Sequence, residues 1–171
     1  MVALRLPRMK KNEIEKLIKE QFLCRIAFRG DDYPYIAPFQ YVFLNDTLYF
    51  HFTAYGRKMR LMEKDKQVCI EIEQYKPDLS QYMFVTLKGK LDIVKDSTER
   101  AEVIKRMREL GEKKLSSNFL AAHGFKVDEG WESLTAEKPL IIVKLEQLVE
   151  ESGLKSSEVL TPEAEERKLK K

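Results

Sequence analysis

The residues best able to do chemistry lie in one run, Leu48-Tyr49-Phe50-His51-Phe52-Thr53-Ala54-Tyr55-Gly56-Arg57-Lys58. A strand that runs into a glycine and then a helix start gathers free backbone N–H groups and the positive end of a helix dipole at one place. Arg57 and Lys58, at the first helical positions, add a planar bidentate donor and a point charge. Together they describe a seat for a phosphate monoester. Adjacent Arg-Lys pairs are common on solvated helix faces, but cations at a helix N-terminus oppose its dipole, and a bound anion removes that conflict. His51, among aromatics in the same run, has an imidazole that at a pKa near ~6.5 can donate a hydrogen bond or move a proton.

The other candidates read as structural. His123 beside Gly124 is expected to be a loop histidine, since the two histidines, with no cysteine near, have no metal-ligand spacing. No metal site is expected. Cys24 and Cys69 each lie in an apolar strand-like run, where a thiol acts as a small buried hydrophobe rather than half of a disulfide. Glu71 and Glu73 alternate with Val68, Ile70 and Ile72, so they face solvent or a subunit groove rather than forming an acid/base pair. Trp131 anchors a loop.

Positioning the phosphate run requires strands. Residues 22–28 and 35–44 are apolar on both alternating faces, which describes strands covered on both sides, and Gly30-Asp31-Asp32 turns between them. Asn45-Asp46 leads to a third strand over 47–53, and further strands are expected at 67–74, 82–94 and 140–148. Helices are expected over 10–21, capped by Asn12 and Glu15, over 57–65, and over 97–110, capped by Asp96 and Glu99. Residues 111–138 show no sustained period and read as loop, with one helix near 115–122. Six strands joined mostly by tight turns make a mainly β chain whose natural solution is a closed or nearly closed antiparallel barrel with flanking helices. The expected domain is 1–151, followed by a polar tail over 152–171.

The composition narrows the function classes. At 171 residues, 43% hydrophobic and 35% charged, the chain can bury a real core. Its net charge of +3 comes from 31 basic and 28 acidic side chains interleaved throughout. No basic stripe with aromatics marks a nucleic-acid surface. No apolar run approaches the ~20 residues of a membrane span, and the first residues lack a secretory apolar region. A cytoplasmic protein without membrane or nucleic-acid partners is expected.

Arg25-Ile26-Ala27, Tyr33 to Tyr41, Leu48 to His51 and Gly56-Arg57-Lys58, in this order, resemble the pyridoxamine 5'-phosphate oxidase-related superfamily, and more narrowly its nitroimidazole-resistance-like flavin-binding branch. The resemblance covers roughly residues 10–150. It implies a split β-barrel homodimer with FMN between subunits and its phosphate on Arg57 and Lys58. It also implies that the flavin ring lies along Ile36, Pro38, Phe39 and Gln40 and the strand end His51, Phe52 and Thr53. Backbone groups would supply many of those contacts, Gln40 would offer donors and acceptors to the ring's polar edge, and His51 would be the catalytic candidate.

The implied activity is that of a flavin-dependent oxidoreductase passing electrons from a nicotinamide donor to a small acceptor such as a nitro compound, quinone or flavin. The alternative is non-catalytic binding, storage or sensing of a flavin, a deazaflavin or heme. Two departures argue against pyridoxamine oxidation itself. Phe84 stands where the oxidases proper carry a polar flavin ligand, five positions before Gly89, and no convincing basic substrate residues occur around 140–155.

Overall fold

The computed structural model describes residues 6–157. Within it the apolar runs close into a barrel of six antiparallel strands: β1 (Leu23–Phe28), β2 (Tyr35–Leu44), β3 (Thr47–Phe52), β4 (Gln67–Tyr75), β5 (Tyr82–Ile93) and β6 (Ile141–Lys155). The order is β1-β2-β3-β6-β5-β4, and β4 pairs back onto β1. Closure gives every strand two neighbours over part of its length, while the first half of β2 pairs on one side only. The mainly β barrel expected from the strand spacing is the observed fold.

Two apolar layers follow from the alternation of side chains along each strand. Inside the barrel, Ile26, Phe28, Phe39, Phe50, Phe52 and Ile70 pack together. Helix α1 (Lys11–Glu20) adds Ile14, Leu17 and Ile18 to this core, and the short helix α2 (Arg57–Lys64) adds Met59, Leu61 and Met62. Outside it, Val42, Tyr49 and Ile142 are covered by Val103, Ile104 and Met107 of helix α3 (Ser97–Lys114). The outer face of β2 is therefore covered over its second half and bare at Ile36 and Pro38.

Helix caps differ from expectation at one end. Asp96 accepts from the Glu99 N–H at 2.7 Å, as its spacing implies. In α1, however, Asn12 lies inside the helix, and it is Glu13 that accepts from the Lys10 N–H at 2.7 Å.

β6 runs seven residues past the expected end at Leu148, because Met83 to Lys88 of β5 pair with Glu150 to Lys155. Most side chains there are exposed, so no apolar alternation announces the strand. Gly153 is the buried exception. A Cβ there would come 2.8 Å from Ile14 and 2.9 Å from Met9, and the segment is stitched to the chain start by Met9 N–H to Gly153 O at 2.9 Å and Lys155 N–H to Pro7 O at 3.0 Å. Residues 152–155 of the expected tail are thus barrel strand, and 158–171 lie outside the described residues.

The aperiodic stretch after α3 folds into 3-10 turns at Ser117–His123, Val127–Glu129 and Trp131–Ser133. Trp131 pins it to α3. A Cβ on Gly111 would sit 2.2 Å from the indole ring, so Gly111→Ala is expected to displace Trp131 despite the better helix propensity of alanine. Overpacking of this kind costs about 1–3 kcal/mol. A Tm lowered by several degrees, with red-shifted emission from the sole tryptophan, is the expected result.

Candidate functional site

β2 and β3 part company where the candidate residues lie. Their ladder runs from Leu44↔Thr47 to Tyr41↔Phe50 and ends there. Beyond it Tyr35 to Gln40 pair only with β1, while His51 and Phe52 pair with Ile142 and Ile141 of β6. Pro38 contributes to the parting, since it has no N–H to donate across a ladder. The barrel is closed as a whole but split at this seam, where the β2 backbone over 35–40 has no β3 partner.

The start of α2 stands at the mouth of the seam. Gly56 caps it with φ 95° and ψ 177°, a region open essentially to glycine alone, and no atom lies within 4 Å of where its Cβ would be. The first intrahelical bond is Arg60 N–H to Gly56 O at 3.3 Å, so the N–H groups of Arg57, Lys58 and Met59 have no helical acceptor. Thr53 tightens the approach by donating its hydroxyl to Tyr55 O at 2.9 Å.

The cations of this helix divide into two kinds. Arg60 and Lys64 share the Asp31 carboxylate, at 2.9 Å and 2.5 Å. Arg57 and Lys58 have no acidic partner among the described residues. The Arg57 guanidinium lies 4.7 Å from the Tyr35 ring centre, and the Lys58 ammonium 4.7 Å from that of Phe39. Partial burial pushes the pKa of Lys58 down, which marks a cation held out of water without a counter-ion. Two such charges beside unpaired helix N–H groups form an anion seat.

A buried histidine pair lies beside this seat. His51 Nδ1 is 3.1 Å from His123 Nδ1, and the ring centres are 5.2 Å apart with 18° between planes, so the two rings meet edge to edge and nearly coplanar. His123 Nε2 is 2.7 Å from Gln40 Oε1, and Gln40 Nε2 donates to the Met107 carbonyl of α3 at 3.4 Å. Trp131 and Phe119 meet the His123 ring edge to face. The loop histidine expected from the sequence is in fact core, because the Ser117–His123 turn lays it over the end of β3. The ordinary imidazole pKa expected for His51 is also corrected: burial first, then His123 and the Lys58 charge, lowers it to about 4. Burial and Lys58 lower His123 likewise to about 4. Both rings are neutral at neutral pH.

The remaining candidates differ in what their side chains meet. Ile36, 60% exposed, and Pro38 line the bare outer face of β2. Phe39 and Phe52 point into the barrel, stacked 4.9 Å apart, so a ligand in the seam reaches only their backbone. Gln40 is buried with its amide engaged by His123 and Met107, which leaves its backbone, rather than its amide, to a ligand's polar edge. Phe84 stacks on Tyr82 on β5. Glu71 and Glu73 both bind Arg25 on the outer face. Among the described residues no group of three or more His, Cys, Asp or Glu could hold a metal ion, and no helix is long and apolar enough to cross a membrane.

This architecture recurs in solved structures. An FAD-binding protein from Mesorhizobium loti superposes with a TM-score of 0.65 at 15% identity, covering 91% of this chain and 100% of its own. An FAD-binding protein from Mycobacterium smegmatis gives 0.58 at 16%, covering 88% and 98%. A NimC/NimA family protein from Clostridium acetobutylicum gives 0.52 at 14%, covering 86% and 85%. At these identities the likeness is one of fold. No curated protein matches the sequence. The family model for pyridoxamine 5'-phosphate oxidase matches residues 10–126, a span that holds α1, the split seam, the Gly56-Arg57-Lys58 seat and both histidines, and the chain belongs to that family.

Proposed function

We propose that this protein binds FMN in the seam between β2 and β3, with the phosphate on the Gly56-Arg57-Lys58 turn, and works as a flavin-dependent oxidoreductase between a nicotinamide donor and a small acceptor such as a nitro compound, quinone or flavin. The observation that carries the reading is the pair of cations without counter-ions at a helix N-terminus beside a parted ladder. Membership of the family and the flavin-binding names of two structural neighbours support it. A bound flavin supplies the redox chemistry. The chain's own residues hold the phosphate by charge and backbone N–H groups, present the backbone of Ile36 to Gln40 and of His51 to Thr53 to the ring, and keep water from it through the His51 and His123 side.

The proposal includes a homodimer. Leu23, Ile36 and Tyr75 are 43%, 60% and 52% exposed on one outer face of β1, β2 and β4. A shallow groove of about 320 Å³ runs there past Arg25, Pro38 and Glu73, and a second copy laid on it would cover the seam. Pyridoxamine oxidation is not proposed, because the lysines of β6 that could meet a second phosphate are engaged, Lys144 with Glu99 at 3.2 Å and Lys155 with Glu13 at 2.6 Å. A second reading, flavin storage or sensing, is favoured by the neutral imidazoles, which at neutral pH offer no imidazolium to donate a proton.

The protein is expected to purify yellow, or to turn yellow with added FMN, and to elute as a dimer. Chromatography of the released cofactor separates FMN from FAD, and a Soret band would mean heme. Anaerobic bleaching by NADH or NADPH, with colour restored by an acceptor, marks the oxidoreductase; colour that never bleaches marks the store. A colourless protein that takes up no flavin overturns both readings.

A further inference from the structure

Two imidazoles joined by a hydrogen bond leave their tautomers undecided until a third group intervenes. Here that group is Gln40. Its amide nitrogen donates to the Met107 carbonyl at 3.4 Å, which turns Oε1, an acceptor, toward His123 Nε2 at 2.7 Å. The flipped amide would set oxygen against carbonyl oxygen. His123 Nε2 therefore carries hydrogen, and in the neutral ring His123 Nδ1 carries the lone pair. His51 Nδ1, 3.1 Å away, must donate to it. The lone pair of His51 is thereby left on Nε2, and a main-chain carbonyl of α3 sets the tautomer of a histidine on β3.

The fixed nitrogen has somewhere to act. Among the described residues no protein group bonds to His51 Nε2, and the residue keeps 8% of its surface exposed. His51 follows the last residue of β3 paired to β2, so it stands where the seam opens. His123 and Gln40 are 6% and 3% exposed, so water does not compete for the bonds that order the chain. Lys58 lies near enough to oppose a proton on either ring.

We propose that Gln40 and His123 are positioning residues that fix His51 as a hydrogen-bond acceptor at Nε2, and that this acceptor takes a ring N–H of the bound flavin. The assignment of the tautomer is independent of any ligand, while the choice of ligand rests on the flavin reading above. An acceptor of one sense discriminates. A ring N–H meets it favourably, whereas a bare ring nitrogen or carbonyl oxygen meets lone pair against lone pair, so the chain from Met107 to His51 would set which way round the ring enters the seam.

Ring ¹⁵N shifts of the full-length protein test it without cofactor. At about pH 7.5 we expect His51 Nε2 and His123 Nδ1 in the range of bare nitrogens and their ring partners in the range of protonated ones. The reverse pattern at His51 overturns the lock, and this measurement needs no variant. Gln40→Met, similar in length but without an acceptor, is expected to give averaged tautomers at both rings. An unchanged pattern in Gln40→Met removes Gln40 from the role. On adding FMN, the His51 Nε2 resonance is expected to move toward the protonated range, and Gln40→Met to raise the FMN Kd by about twofold, because about half of the rings then hold the accepting tautomer. FMN binding without that movement overturns the acceptor role. Absence of FMN binding with the assigned tautomers intact overturns the flavin reading and the named ligand together, and leaves the lock standing.

Discussion

Replacing Arg57 and Lys58 together by alanine is expected to raise the dissociation constant for FMN by roughly 10²–10⁴-fold. Each cation contributes a charge-assisted contact to the phosphate, worth about 1.5–3 kcal/mol, and the two sum to a loss of that size. The unliganded fold should not suffer with it. The contacts both side chains make in the protein are with aromatic faces, those of Tyr35 and Phe39, each worth about 0.5–1 kcal/mol. Against that loss, the variant removes two like charges from the positive end of a helix, one of them partly desolvated. A Tm within a few degrees of the parent, beside lost flavin, is the expected pair of results. Arg60→Ala is the control. Arg60 sits on the same helix but is paired with Asp31 at 2.9 Å, so its removal should change FMN affinity by less than about twofold. Equal losses from both variants would mean that helix α2 offers only diffuse positive charge, and retained flavin in the double variant would place the phosphate elsewhere.

How far the sequence could be read depended on what each residue's environment required of it. β2 was legible at its observed bounds, Tyr35–Leu44, because its second half is covered on both sides and its exposed positions Ile36 and Pro38 are apolar as well. The strand end, the glycine and the helix start of the proposed seat were legible because they follow one another within a few residues. The end of β6 was not. Its last residues pair through the backbone and expose their side chains, so hydrogen bonds hold a strand where no hydrophobic pattern shows one. The histidine pair was least legible of all, since its members are 72 positions apart and meet only after Trp131 has packed on Gly111 and the Ser117–His123 turn has closed at Gly124 with φ 82°. One signal did precede it. Gln40 lies in a run that is otherwise apolar on both faces, and a buried amide requires a buried partner. His123 answers it, and the residue that looked like a contact for the ring bonds the histidine pair instead.

That pair should make the protein sensitive to mild acid. In the folded state burial holds both imidazoles near a pKa of about 4, against a usual value of 6.5 in the unfolded chain. Between those values the unfolded chain binds more protons than the folded one, so stability falls as pH drops from 6.5 toward 4 and levels off below. For two such groups the loss between pH 6.5 and about pH 5 comes to about 3 kcal/mol, a large part of the stability of a domain this size, typically about 5–15 kcal/mol. The window identifies the groups. Glu13 and Asp31 have carboxyl pKa values lowered by Lys155 and by Lys64 with Arg60, so the stability they contribute is lost only below their ordinary values of 4.5 and 3.8. Glu71, raised by burial, works in the opposite sense and blunts the lower end. Urea unfolding at about pH 7.5, 6 and 5 should follow this course, and His123→Gln, which removes one of the two titrating rings, should about halve the slope. A flat profile would mean that the imidazoles accept protons inside the fold, and then His51 would be available as a proton donor to whatever occupies the seam.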